Sequence, residues 1–72
     1  MNVKLIGTDW CAPCKVAKQL LEDKGVEYAY LDGDTDEGMA EAEAAGAKSF
    51  PILFVEGFTY IGNDAVTEVR KL

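Results

Sequence analysis

The chain has 72 residues, 49% of them hydrophobic and 28% charged, which is the composition of one small globular domain. Its 13 acidic and 7 basic residues leave a formal charge of −6, which argues against nucleic acid as a partner, because affinity for phosphates comes from Lys and Arg. No run approaches the ~18 apolar residues of a membrane span, and no basic stretch leads into an apolar one as in a secretory signal, so the expectation is a monomeric cytoplasmic protein with no membrane partner.

Asn2 to Ile6, reading NVKLI, is rich in β-branched and apolar residues and predicts a strand. Its alternation is imperfect, as in a strand covered on both faces. Gly7 to Trp10 is a loop. A helix follows over about Ala12 to Lys24, with Pro13 tolerated in its first turn and Gly25 ending it. Val16, Ala17, Leu20 and Leu21 form its apolar stripe, and Glu22 lies four residues after Lys18, the weaker order for an ion pair. Val26 to Leu31 predicts a second strand with Val26, Tyr28 and Tyr30 on one face. Asp32 to Glu37 is a turn in which Asp34 or Thr35 caps a second helix. That helix offers only a thin stripe of Met39, Ala42 and Ala45 before Gly46 stops it, so it should contribute the least burial. Pro51–Val55 and Phe58–Gly62 are strands joined by Glu56-Gly57, a strong hairpin signal. Asn63 to Leu72 closes the chain as a helix capped by Asn63 or Asp64, with Val66, Val69 and Leu72 on one face and Arg70 and Lys71 in the last turn.

The order β-α-β-α-β-β-α predicts an α/β fold over residues 1–72, a four-stranded mixed sheet with three helices divided between its faces. The first β-α-β crossover makes its two strands parallel. From Glu27 to Glu43 every charged residue is acidic, which reads either as a solvated face or as a steering field for a basic partner.

Both cysteines lie in the stretch TDWCAPCK, as Cys11 and Cys14 with Ala12 and Pro13 between them. A lone pair closing so short a loop is a weak staple. Two sulfurs without a histidine also fall short of the four ligands of a structural zinc site, so a metal or iron–sulfur site needs a dimer or external thiols. The position suits redox chemistry better. Cys11 ends the loop after the first strand, where an α/β sheet presents its chemistry. It should be exposed and face the free N–H groups of the first helical turn, which stabilise a thiolate. Cys14 should sit inward and one turn behind. The expected chemistry is attack by the Cys11 thiolate on a substrate disulfide, then displacement of the reduced substrate by Cys14. Trp10 is either a docking surface beside the nucleophile or a shield over a small core. Lys15 either favours the thiolate electrostatically or is a solvated helix charge.

WCAPCK resembles the active-site stretch of thioredoxins, with Ala12 where glycine is usual. The short chain and KGVEYAYLDGD are more similar to small glutaredoxins and to the glutaredoxin-like redoxins that reduce ribonucleotide reductase. The resemblance implies the thioredoxin-like fold. It makes Pro51 the cis-proline facing the dithiol, and Phe50 the residue whose backbone pairs with a bound substrate strand. It makes Gly62, Asn63 and Asp64 the turn that holds the γ-glutamyl group of glutathione; the same three residues also serve as a strand end and helix cap without any ligand. Thr8 stands where glutaredoxins commonly carry a lysine, and Leu5 near the buried aspartate of thioredoxins.

What the resemblance implies in function is a dithiol–disulfide oxidoreductase acting on partner proteins with no bound cofactor. Glutathione or a thioredoxin reductase-like flavoenzyme would recharge it. A variant of this reading is a dedicated hydrogen donor for ribonucleotide reductase.

Overall fold

The computed structural model describes residues 2–72. In chain order the elements are β1 (Val3–Gly7), α1 (Ala12–Asp23), β2 (Ala29–Asp32), α2 (Asp36–Ala44), β3 (Ile52–Val55), β4 (Phe58–Ile61) and α3 (Asn63–Lys71). The sheet runs β2-β1-β3-β4. β1 is parallel to β2, with Leu5 opposite Tyr30 and Gly7 opposite Asp32. β3 is antiparallel to both β1 and β4. This is the expected mixed sheet of a thioredoxin-like fold.

The pleat divides the core in two, because alternate residues of a strand point to opposite faces. Val3, Leu5 and Leu53 pack on Ala17 and Leu21 of α1 and on Ala65 and Val69 of α3. Ile6 and Ile52, on the other face, pack with Ala42 of α2. Completely burying a Leu or Ile side chain stabilises a fold by about 1.5–3 kcal/mol, and Leu5, Ile6, Leu21, Ile52 and Leu53 are all fully enclosed.

Several local expectations change. β2 begins at Ala29 rather than Val26, because pairing with β1 starts at Lys4 opposite Ala29. Val26 and Tyr28 instead reach the core from the loop before the strand. Val16 is exposed, and α1 buries the narrower stripe Cys14, Ala17 and Leu21. Lys18 and Glu22 make other contacts: Lys18 lies over the Tyr30 ring, and Glu22 accepts a hydrogen bond from the Tyr28 hydroxyl at 3.1 Å. Met39 is exposed as well, and α2 faces the sheet through Gly38 and Ala42. The reason is space: a Cβ on Gly38 would lie 2.0 Å from the Asp32 carbonyl oxygen.

Thr35 caps α2, its hydroxyl accepting from the Gly38 N–H at 3.0 Å. In the β3–β4 hairpin Glu56 and Gly57 both have positive φ, 49° and 87°, as a two-residue type I′ turn requires. The N-cap of α3 is Gly62, without a side-chain hydrogen bond, so neither Asn63 nor Asp64 caps that helix. Its far end is tied to α1 by Lys24, whose ammonium donates to the carbonyls of Arg70 and Leu72. Lys4 bridges β1 to α2 through Glu41.

Candidate active site

The parallel pairing of β1 and β2 places the loops that follow them side by side. The Gly33 N–H donates to the Gly7 carbonyl at 2.8 Å, so residues 8–11 and 33–35 share one end of the sheet. The approach of the β3 strand brings residues 48–51 to the same end.

Cys11 is the N-cap of α1, with extended backbone dihedrals and its Sγ accepting the Cys14 N–H at 3.3 Å. Pro13 lies in the first turn, where its missing N–H leaves no helical bond unmade. The two sulfurs are joined as a disulfide, with Cα atoms 5.2 Å apart. Cys11 was expected to be exposed, yet only 8% of its surface is open in this oxidised form, against 2% for Cys14. The order of access is as the sequence suggests, but the loops close over the first sulfur more than a bare helix tip would.

What covers it is the Phe50–Pro51 segment. The Cys11 Sγ lies 3.7 Å from the Phe50 carbonyl oxygen, and the Phe50–Pro51 peptide is cis. The Phe50 ring stands edge-on to Trp10, with centroids 6.2 Å apart and planes at 87°. Its other side rests on Gly33, where a Cβ would meet the ring at 2.6 Å. Trp10 is 70% exposed, and its indole N–H donates to both carboxylate oxygens of Asp34, at 3.2 and 3.0 Å. Trp10 therefore stands beside the disulfide as an open wall and does not shield the core.

Trp10, Cys11, Ala12, Pro13 and Phe50 line one groove of about 450 Å³ together with Lys48 and Ser49. Pro51 and Gly62 adjoin it: the Gly62 N–H donates to the Pro51 carbonyl at 2.8 Å, and a Cβ on Gly62 would lie 3.3 Å from the Ser49 hydroxyl. With φ at 64° and ψ at −129°, residue 62 occupies backbone space that suits glycine. Asn63 and Asp64 are not among the residues lining the groove, and Asp64 borders a separate depression with Tyr60 and Lys71. Lys15 is exposed on α1. The sequence offers Asp34 only as a helix cap and a member of the acidic run, and it singles out neither Lys48 nor Ser49. No spacing rule links residue 34 to residue 10; only the register of two parallel strands does.

Thr8 is the buried polar residue of this loop, 1% exposed, and its hydroxyl finds no partner among the described residues. An unpaired buried hydroxyl costs more than an apolar group of the same shape. Thr8→Val should therefore stabilise the protein by about 1 kcal/mol, which for a domain of this size raises the melting temperature by roughly 4–8 °C. Thermal unfolding followed by circular dichroism reads this directly, and a lowered melting temperature would show that the hydroxyl is bonded after all.

Comparison with known proteins agrees with this geometry. The glutaredoxin family profile matches residues 3–59. A glutaredoxin of Pseudomonas aeruginosa is 36% identical over 62 residues, covering 83% of this chain and 73% of that protein. The solution structure of a glutaredoxin from Brucella melitensis superposes with a TM-score of 0.73 at 30% identity, over 99% of this chain and 79% of that one. The glutaredoxin-like protein NrdH-redoxin from Escherichia coli shares the fold, with a TM-score of 0.81 at 20% identity over 100% of this chain and 95% of that one. With a redox-active cysteine pair at the head of α1 in a thioredoxin-like fold, the chain belongs to the glutaredoxin family and has the character of a thiol–disulfide oxidoreductase.

Proposed function

We propose that the protein is a glutaredoxin-like hydrogen donor, a dithiol that reduces disulfides of partner proteins, with ribonucleotide reductase as the favoured partner and a reducing compartment such as the cytoplasm as its setting. The observation that carries this reading is the Cys11 sulfur at the α1 N-cap, already accepting the Cys14 N–H and opening onto a groove walled by Trp10 and Phe50.

In the reduced protein Cys11 is the nucleophile. Its thiolate attacks one sulfur of the substrate disulfide; the electron pair of that bond leaves on the other substrate sulfur, which takes up a proton. Cys14 loses its proton and attacks Cys11 Sγ, the mixed disulfide breaks, and the second substrate thiol departs. The donor that serves the Cys11 sulfur here would serve its thiolate, where a charge-assisted hydrogen bond is stronger than a neutral one. Ala12 and Pro13 hold the two cysteines one turn apart. In this reading Trp10 and Phe50 would form the docking surface, and the backbone beside Pro51 would meet an extended substrate segment.

The structural similarity to NrdH-redoxin, described as glutaredoxin-like with a thioredoxin-like activity profile, supports a flavoenzyme reductase as the electron source. So does the charge around the groove. Glutathione brings two carboxylates, yet Thr8 is a buried neutral residue and Asp34 is bonded to Trp10, leaving Lys48 as the cation that lines the groove. Like charges near one another oppose binding.

Paired turnover assays test this. We expect NADPH oxidation through thioredoxin reductase to support reduction of a protein disulfide at least about tenfold faster than glutathione with glutathione reductase, a difference of roughly 1.4 kcal/mol. Faster turnover with glutathione would overturn the assignment of the electron source and favour a conventional glutathione-linked cycle.

A further inference from the structure

On the face of the sheet beneath α1, β1 presents Val3, Leu5 and Gly7, so the strand carries no titratable group toward the resolving cysteine. The neighbouring strand does. Leu5 pairs with Tyr30, and Tyr30 thus shares the α1 face of the sheet. The Tyr30 ring lies under Lys18, whose ammonium is 4.6 Å from the ring centroid, and Lys18 is one helical turn beyond Cys14.

Gly7 shows where the tyrosine ends. A Cβ built there would lie 3.3 Å from the Cys14 Sγ and 3.3 Å from the Tyr30 hydroxyl oxygen. The sulfur and the hydroxyl therefore border the same bare stretch of backbone, separated by at most twice that distance. A side chain at residue 7 would stand between them, and glycine leaves the space open.

We propose that the Tyr30 hydroxyl positions and activates the resolving thiol by donating a hydrogen bond to the Cys14 sulfur as it becomes a thiolate. This rests on the dithiol exchange proposed above. In that second step Cys14 gives its proton to solvent, its thiolate forms the bond to Cys11 Sγ, and the bond between Cys11 and the substrate sulfur breaks with its electron pair leaving on the substrate sulfur, which takes up a proton from solvent. Tyr30 keeps its own proton throughout and supplies only the hydrogen bond, so the electron count of the exchange is unchanged.

The surroundings suit a donor. Burial holds the Tyr30 hydroxyl above the usual phenol range, and the carboxylates of Asp32, Asp9 and Asp34 push it the same way, so it stays protonated where the protein works. Those three carboxylates oppose a thiolate nearby, whereas the hydroxyl dipole and the Lys18 ammonium favour one.

The test is a titration of Cys14 in the full chain carrying Cys11→Ser, followed by ultraviolet thiolate absorbance. Adding Tyr30→Phe should raise the Cys14 pKa by about one unit or more, the worth of a hydrogen bond to a charged group. Tyr28→Phe, which removes a hydroxyl bonded to Glu22, should leave it in place. Independently of any change at residue 30, the Tyr30 ring carbon that bears the hydroxyl should shift in NMR spectra of the Cys11→Ser protein with the same midpoint as Cys14. An unmoved Cys14 pKa in a folded Tyr30→Phe protein, or a tyrosine signal blind to the Cys14 titration, would overturn the proposal. Failure of the wild-type protein to reduce any protein disulfide would instead remove the function proposed above, and the Cys14 titration would still report on Tyr30.

Discussion

Cys11→Ser should abolish protein disulfide reduction, lowering turnover by on the order of 10³-fold or more, since removing a nucleophile removes the route and not merely its efficiency. Cys14→Ser should behave differently. It retains the sulfur at the helix N-cap and the groove beside it, so the first attack proceeds and the mixed disulfide persists. The measurement is insulin reduction for turnover, together with non-reducing electrophoresis or mass spectrometry for the trapped adduct. The asymmetry follows from geometry: Cys11 borders the groove between Trp10 and Phe50, whereas Cys14 sits behind it against Gly7 with 2% of its surface open. If Cys14→Ser lost the first attack as fully as Cys11→Ser, the two sulfurs would not have separate roles.

Gly38→Ala should be the most destabilising glycine-to-alanine change among the described residues. The new Cβ would fall 2.0 Å from the Asp32 carbonyl oxygen, 2.8 Å from its carbon and 2.9 Å from the Gly33 Cα. These are backbone atoms at the end of β2, so no side-chain rotation relieves the clash. α2 would have to lift away from the sheet, loosening Ala42 from Ile6 and Ile52. Overpacking of this kind costs typically 1–3 kcal/mol and more where the backbone resists. For a chain of 72 residues, whose whole stability is of order 4–11 kcal/mol at about 0.05–0.15 kcal/mol per residue, that is a large share. Urea unfolding of Gly38→Ala should show the midpoint falling by roughly a third, the share that a loss of about 2–3 kcal/mol takes from the middle of that range. The same shift moves the Asp32–Asp34 loop, so the Trp10–Asp34 bond and the groove wall should weaken with it. An unchanged unfolding midpoint would mean that α2 does not approach the sheet as closely as the structure shows.

The order of elements and the site at the head of α1 were legible because they depend on local chemistry. A proline in the first turn, a glycine after Lys24, a hairpin glycine and two cysteines one turn apart each act over a few residues. What the sequence hid depends on who packs against whom. Val16 fits a helical stripe but points outward, because α1 meets the sheet along the narrower line of Cys14, Ala17 and Leu21. Met39 outranks Gly38 by hydrophobicity, yet the close approach of α2 selects the residue with no side chain. The apolar run at Val26 reads as strand, and its side chains do reach the core, but from a loop that is not yet paired. The pairing of Trp10 with Asp34, and of Tyr30 with the Cys14 side of Gly7, needs the parallel register of β1 and β2, which no linear spacing contains.

Cys11 is less exposed than its helix-tip position predicts for a related reason. A helix tip taken alone leaves its cap residue open, but residues 48–51 arrive from more than thirty positions away and fold over it. The result is a sulfur reached through a lined groove.

The most direct test is the pH dependence of alkylation of the two cysteines in the reduced protein, read residue by residue by mass spectrometry with iodoacetamide. Cys11 should react at least about tenfold faster than Cys14 at neutral pH, with a midpoint below the ~8.5 of a free thiol. Equal rates at the two sulfurs, or a Cys11 midpoint at or above the free-thiol value, would contradict a nucleophile stabilised by the first turn of α1.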